Sequence, residues 1–113
     1  MPMKFSNGLT DSQLERLALL SEELGEAQQC IGKIIRHGYE SFNPCGDEGS
    51  NRFMLIKELG DVTYAIEFLC TSGDLNHVLI QRRSSEKCEK VKKWLHHQSP
   101  LPSPPSPATD KEK

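Results

Sequence analysis

Leu17–His37 reads LALLSEELGEAQQCIGKIIRH, and its run Glu22-Glu23-Leu24-Gly25-Glu26 packs three carboxylates into little more than one helical turn. Around it, Leu14, Leu17, Leu20, Leu24, Ala27, Ile31 and Ile34 recur at spacings of three and four, the period of a helix with one apolar stripe. These seven are predicted to face inward. Glu23 falls at the rim of the stripe, Glu26 a little beyond it, and Glu22 further towards the polar side. Upstream, Thr10 and Gln13 have the spacing of a capping box, Ser12 and Glu15 form a second candidate pair, and Asp11 suits the positive first turn. Gly38 supplies the C-terminal stop.

Working outward, residues 38–51, GYESFNPCGDEGSN, have the Gly, Pro, Asn, Asp and Ser density of a loop. Fourteen residues is long for a link between packed helices, and long links are commonly functional or disordered. Tyr39 and Phe42 are its aromatics. Ser50 or Asn51 then caps a second helix whose apolar set is Leu55, Leu59, Val62, Ile66 and Leu69. Glu58 and Asp61 lie on one flank of that set, three residues apart. Thr71-Ser72-Gly73 breaks the pattern, and Asp74 is predicted to restart it as a helix cap.

Residues 75–97 are helical in composition, but the apolar phase drifts. Leu75, Val78 and Leu79 point one way, and Val91, Trp94 and Leu95 nearly the other. This predicts a short third helix, a break near Ser84-Ser85 and a fourth helix to His97, with one long helix as the alternative. Trp94 shares a face with Val91, which favours core packing over stacking on a base. Residues 99–113, SPLPSPPSPATDKEK, hold five of the seven prolines. They are expected to form a disordered, polyproline-leaning tail, either inert or a ligand for a proline-binding partner. The predicted division is a lead-in over 1–9, a helical domain over 10–98 and the tail over 99–113.

The bulk properties narrow the function. The chain of 113 residues is of one-domain size, and its hydrophobic fraction of 35% is depressed by the tail. A formal net charge of −2 gives no reason to expect a nucleic-acid groove. No apolar run approaches a membrane span, and MPMKFSNG has no apolar signal core, so no membrane partner and a cytoplasmic location are expected. Cys30, Cys45, Cys70 and Cys88 include no CxxC pair; they are expected to be free thiols, and their spacing with the histidines does not support zinc.

The acidic residues have two readings. As a solvated face, Glu22, Glu23 and Glu26 would simply pair with nearby lysines. Against this, Glu22 and Glu26 form an i,i+4 like-charge pair, which destabilises a helix by a few tenths of a kcal/mol. Glu23 and Glu58 also border apolar stripes, where burial raises a carboxyl pKa unless a cation compensates. If the two helices pack antiparallel, four carboxylates converge at one depth. Mg²⁺ suits such an all-oxygen set and often bridges carboxylates to phosphates.

Glu22-Glu23-x-x-Glu26 followed, after a linker, by Glu58-x-x-Asp61 resembles the EExxE…ExxD signature of the all-α NTP pyrophosphohydrolases, the MazG-like superfamily. The flanking LxxLxEExGEAxQ and NRxxLxxELGDVxYAIEFL resemble it too, so the likeness covers about residues 13–95, loosely after residue 71. It implies an all-α, four-helix MazG-like bundle that is homo-oligomeric, a homodimer or homotetramer, with sites near subunit interfaces. It implies a hydrolase that cleaves a nucleoside triphosphate between the α- and β-phosphates, in nucleotide-pool house-cleaning. The metal ligands would be Glu23, Glu26, Glu58 and Asp61, for Mg²⁺ with Mn²⁺ as a substitute. Glu22 and Glu23 would be catalytic, Glu22 as a further ligand, a support for the ligands or the base that orients water. Lys33 and Arg36 on the first helix and Lys87 and Lys90 later in the chain would hold the phosphates, and Asn51 the sugar or base unless it caps its helix. Two alternatives remain: a relative narrow for dCTP, dUTP or a phosphoribosyl-nucleotide, and a non-enzymatic helical interaction module.

Overall fold

The computed structural model describes residues 6–41 and 49–98. Phe42, Cys45 and the proline-rich segment 99–113 therefore lie outside the described residues. These contain three α-helices, α1 Asp11–His37, α2 Asn51–Thr71 and α3 His77–Lys90, then one 3-10 turn, Val91–Lys93, and no strand. The chain divides into two units, one ending at Leu75 and the other starting at Asn76.

The first unit is a helical hairpin. α1 starts on the Thr10 capping box: the Gln13 amide donates to Thr10 Oγ1 at 3.1 Å, and the Thr10 amide donates to Gln13 Oε1 at 2.9 Å. Both are orphan donors that the first turn would otherwise leave to solvent. At the far end the Gly38 amide closes on the Ile34 carbonyl at 2.7 Å, and Gly38 takes a φ of 91°, which L side chains rarely adopt. Ser50 caps α2 by accepting from the Phe53 amide at 3.1 Å. Asn51 is thereby released from capping, and its Nδ2 donates to the Gly38 carbonyl at 3.2 Å.

The seam between α1 and α2 is built from small and medium side chains. Ala27 and Cys30 are buried on α1, and Val62, Ala65 and Leu69 on α2. Burying a side chain such as Val62 or Leu69 contributes roughly 1.5–3 kcal/mol. The predicted α1 stripe is corrected in detail. Ala27 is buried and Leu20 and Ile34 are half-buried, but Leu14, Leu17, Leu24 and Ile31 are exposed. On α2 Leu59 is exposed as well. The inward face of α1 is turned away from the leucine row, onto Glu23, Ala27 and Cys30. Alanine and cysteine let the two backbones approach, and the bulky leucines lie one flank over.

Asp74 does not cap the next helix. It forms a two-pronged ion pair with Arg16, Nε to Oδ2 at 2.6 Å and Nη2 to Oδ1 at 3.1 Å, which ties the end of α2 to the start of α1. Asn76 is the cap of α3, accepting from the Leu79 amide at 3.1 Å.

In the second unit the expected break at Ser84-Ser85 is absent: α3 runs unbroken through both serines to Lys90. Serine is a neutral helix residue when its hydroxyl does not compete for the backbone, so the pair alone does not stop a helix. The residues predicted as a fourth helix form instead the tail of α3 and the 3-10 turn. No residue of α3 is buried, and Trp94, expected in a core, is 75% exposed.

Candidate metal centre

The hairpin brings Glu23 and Glu26 of α1 against Glu58 and Asp61 of α2. Each offers one carboxylate oxygen, and the four oxygens lie within 4.8 Å of one another. The three-residue spacing within each helix puts both members on neighbouring positions of one face. Antiparallel packing then sets the two faces opposite each other. Glu22 is exposed on the adjoining turn.

Glu58 decides how this cluster should be read. It is only 9% exposed, and its Oε2, like Oε2 of Glu23, is buried with no hydrogen-bond partner. A buried carboxylate oxygen without a donor loses the solvation that water would give it. Burial first, then hydrogen bonding to Glu26 and the charges of Glu26, Asp61 and Glu23, push the Glu58 carboxyl above its ordinary value of 4.5. Burial, then the charges of Glu26, Asp61 and Glu22, push Glu23 the same way. No lysine or arginine forms an ion pair with any of the four among the described residues.

The donor set fits a hard divalent cation. All four groups are carboxylates, the oxygen ligands preferred by Mg²⁺ and Mn²⁺. Two of the carboxylate oxygens, Glu23 Oε2 and Glu58 Oε2, are buried without a donor, and such an ion would supply the positive charge they lack. Cys30 is buried beside the cluster. Its thiol is pushed up by burial first and then by Glu58, while Lys33 and Lys57 act in the opposite sense. Cys30 and Cys70 are free thiols, and no histidine among the described residues joins the cluster.

The other residues singled out in the sequence lie elsewhere on the chain. Lys33 and Arg36 are exposed on α1, towards its C-terminal end. Lys87 and Lys90 are exposed in the last turn of α3, within the second unit. Asn51 stands at the base of the linker, engaged with Gly38, and Tyr39 lies under the Arg52 guanidinium, 4.2 Å from the ring centroid. Sequence reasoning passes over Lys57, adjacent in sequence to Glu58. Its signal is present, since a lysine one turn before Asp61 shares that residue's flank.

No helix among the described residues is long and apolar enough to cross a membrane. Compared with known proteins, the chain matches no family model, no curated protein and no solved structure.

Proposed function

We propose that this chain is a MazG-like hydrolase, a Mg²⁺-dependent nucleoside triphosphate pyrophosphohydrolase that releases a nucleoside monophosphate and pyrophosphate. The observation that carries the reading is the convergence of four carboxylates from two helices within 4.8 Å, with two of their oxygens buried and unpartnered. A solvated acidic face has no reason to bury Glu58. The two-part spacing of the motif supplies the second support.

Glu23, Glu26, Glu58 and Asp61 would hold the ion, Mg²⁺ or Mn²⁺, which would supply positive charge to the phosphate oxygens when bound. Glu22, next to Glu23 and open to solvent, takes the proton from the attacking water. A new oxygen bond forms at the α-phosphorus as the bond to the bridging oxygen breaks, and that oxygen leaves with pyrophosphate. Lys33 and Arg36 add positive charge along the phosphate chain.

The assembly is part of the same proposal. Leu14, Leu17, Leu24 and Ile31 of α1 with Ile56 and Leu59 of α2 leave apolar surface exposed on a thin two-helix core. Small domains of this kind usually need oligomerisation. A second copy packed there completes a four-helix bundle, in a homodimer or a homotetramer, and light scattering on the purified chain measures which.

The experiment that tests the activity is pyrophosphate release from a panel of nucleoside triphosphates, with and without Mg²⁺. Release that needs the metal supports the reading. A panel with no turnover and no metal-dependent nucleotide binding sinks it in favour of an interaction module.

A further inference from the structure

The row Phe53, Lys57, Asp61, Tyr64 and Phe68 runs along α2 at spacings of four, four, three and four, so the five side chains follow one another on a single flank. All five are exposed. An aromatic pair, Tyr64 and Phe68, lies on one side of Asp61, and a cation, Lys57, on the other.

The aromatic pair is braced. The Arg16 guanidinium stands 5.8 Å from the Phe68 ring centroid, and Asp74 fixes that guanidinium with its two hydrogen bonds. The Tyr64 ring leans on Phe68 with centroids 5.9 Å apart and a 40° tilt. Tyr64 nevertheless remains 60% exposed. It is a supported ring with a free face, three residues beyond a cluster ligand. On the other side, Lys57 precedes Asp61 by one turn of α2 and Lys33 follows Glu26 by about two turns of α1, and the antiparallel hairpin, closed where Asn51 meets Gly38, brings these two directions to the same end of the cluster. Neither lysine enters an ion pair among the described residues. Lys57 and Tyr64 are seven residues apart, about 10 Å along a helix.

We propose that this row fixes the direction in which a nucleoside triphosphate lies. The base stacks on Tyr64, with Phe68 behind it, and the β- and γ-phosphates extend to Lys57 and Lys33. The inference rests on the proposed function and adds to it a binding polarity and two positioning residues, Lys57 and Tyr64. The released pyrophosphate is the portion held by the lysines, and the monophosphate the portion held by the ring. Stacking reads the π-face that every base offers, so the platform is tolerant of base identity.

Calorimetry in Mg²⁺ with an α,β-methylene nucleoside triphosphate and with inorganic tripolyphosphate tests the polarity. Replacing a stacking aromatic by alanine weakens base binding by about 5- to 150-fold. Tyr64→Ala is therefore expected to weaken the nucleotide within that range and leave tripolyphosphate unchanged. Lys57→Ala is expected to weaken both ligands, and Tyr64→Phe neither. Wild-type affinity for the nucleotide in both alanine variants overturns the polarity, as does equal weakening of both ligands by Tyr64→Ala. Those results leave the metal site standing. Wild-type protein that binds neither ligand in Mg²⁺ overturns the proposed function and this inference with it.

Discussion

The same pair of helices treats its carboxylates in two opposite ways. Near one end Asp74 meets Arg16 in a two-pronged ion pair, and that guanidinium holds its carboxyl below the ordinary value of 3.8. In the seam, Glu23 and Glu58 meet other carboxylates, and burial holds both above the ordinary 4.5. Both sites place acidic groups between α1 and α2, but one brings its own cation and the other has none from the described chain. A helical hairpin that needed only a clasp would use the first arrangement throughout. The second destabilises the chain by itself and makes sense when a cation arrives from outside.

The contrast breaks most visibly in the chemistry. Glu23→Gln and Asp61→Asn are each expected to reduce pyrophosphate release to the level of a blank while light scattering shows the same assembly as wild type. Retained turnover in both would remove these residues from the ligand set. Next in size is the effect of the ion on stability. At a free Mg²⁺ concentration of about one hundred times its Kd, the folded chain should gain about 2.7 kcal/mol, read as a rise in melting temperature. Glu58→Gln should abolish that gain, yet raise the melting temperature in EDTA at neutral pH, because the amide removes a buried charge without a partner.

The two carboxylate sites also differ in the sign of their pH dependence. A raised folded pKa means that the native state binds more protons than the unfolded one between the two values. Without metal, the cluster should therefore weaken the fold as pH rises upward from 4.5 through the raised pKa of Glu23 and Glu58, and Mg²⁺ should flatten that slope. Asp74 has the opposite sign. Its contribution is present above the unfolded value of 3.8 and is lost as pH falls through the lowered folded pKa. Arg16→Ala should lower the melting temperature and erase that acid-side loss; a variant that melts with the wild-type acid limb would show that the clasp does not hold the hairpin together.

The smallest effects concern the glycines between the clustered carboxylates. Gly25 separates Glu23 from Glu26, and Gly60 separates Glu58 from Asp61. A Cβ at either would meet nothing within 4 Å. Replacing a helix-interior glycine with alanine should stabilise the chain by up to about 1 kcal/mol. A loss of stability or of turnover in Gly25→Ala or Gly60→Ala would mean that another molecule approaches the backbone there.

Much of this arrangement is legible in the residues. The Thr10–Gln13 box, the Gly38 stop and the Ser50 cap are local hydrogen-bond chemistry, and they mark the ends of α1 and α2 closely. The carboxylate spacing within each helix determines which acids share a face. Which flank of α1 turns inward is harder to read, because a helical period gives the width of an apolar face and not its partner. Leu14, Leu17, Leu24 and Ile31 outweigh Ala27 and Cys30 in hydrophobicity, yet the small pair forms the seam since small side chains let the helices approach. Asp74 resembles a cap because Asp is a good one, and a guanidinium 58 residues earlier in the chain outcompetes the helix for it. Ser84-Ser85 suggests a break on composition alone, although nothing at the pair prevents helix.

The base of the linker has a consequence for how the four acids are kept aligned. The Asn51 and Arg52 amides donate to the Ser41 and Tyr39 carbonyls at 2.7 and 2.8 Å, and Arg52 pairs with Glu40 at 2.7 Å. The two described ends of the connection, residues 39–41 and 51–52, are thus buckled together. That buckle ties the exit of α1 to the entry of α2. The register that brings Glu23 and Glu26 beside Glu58 and Asp61 therefore begins at backbone hydrogen bonds well outside the cluster itself.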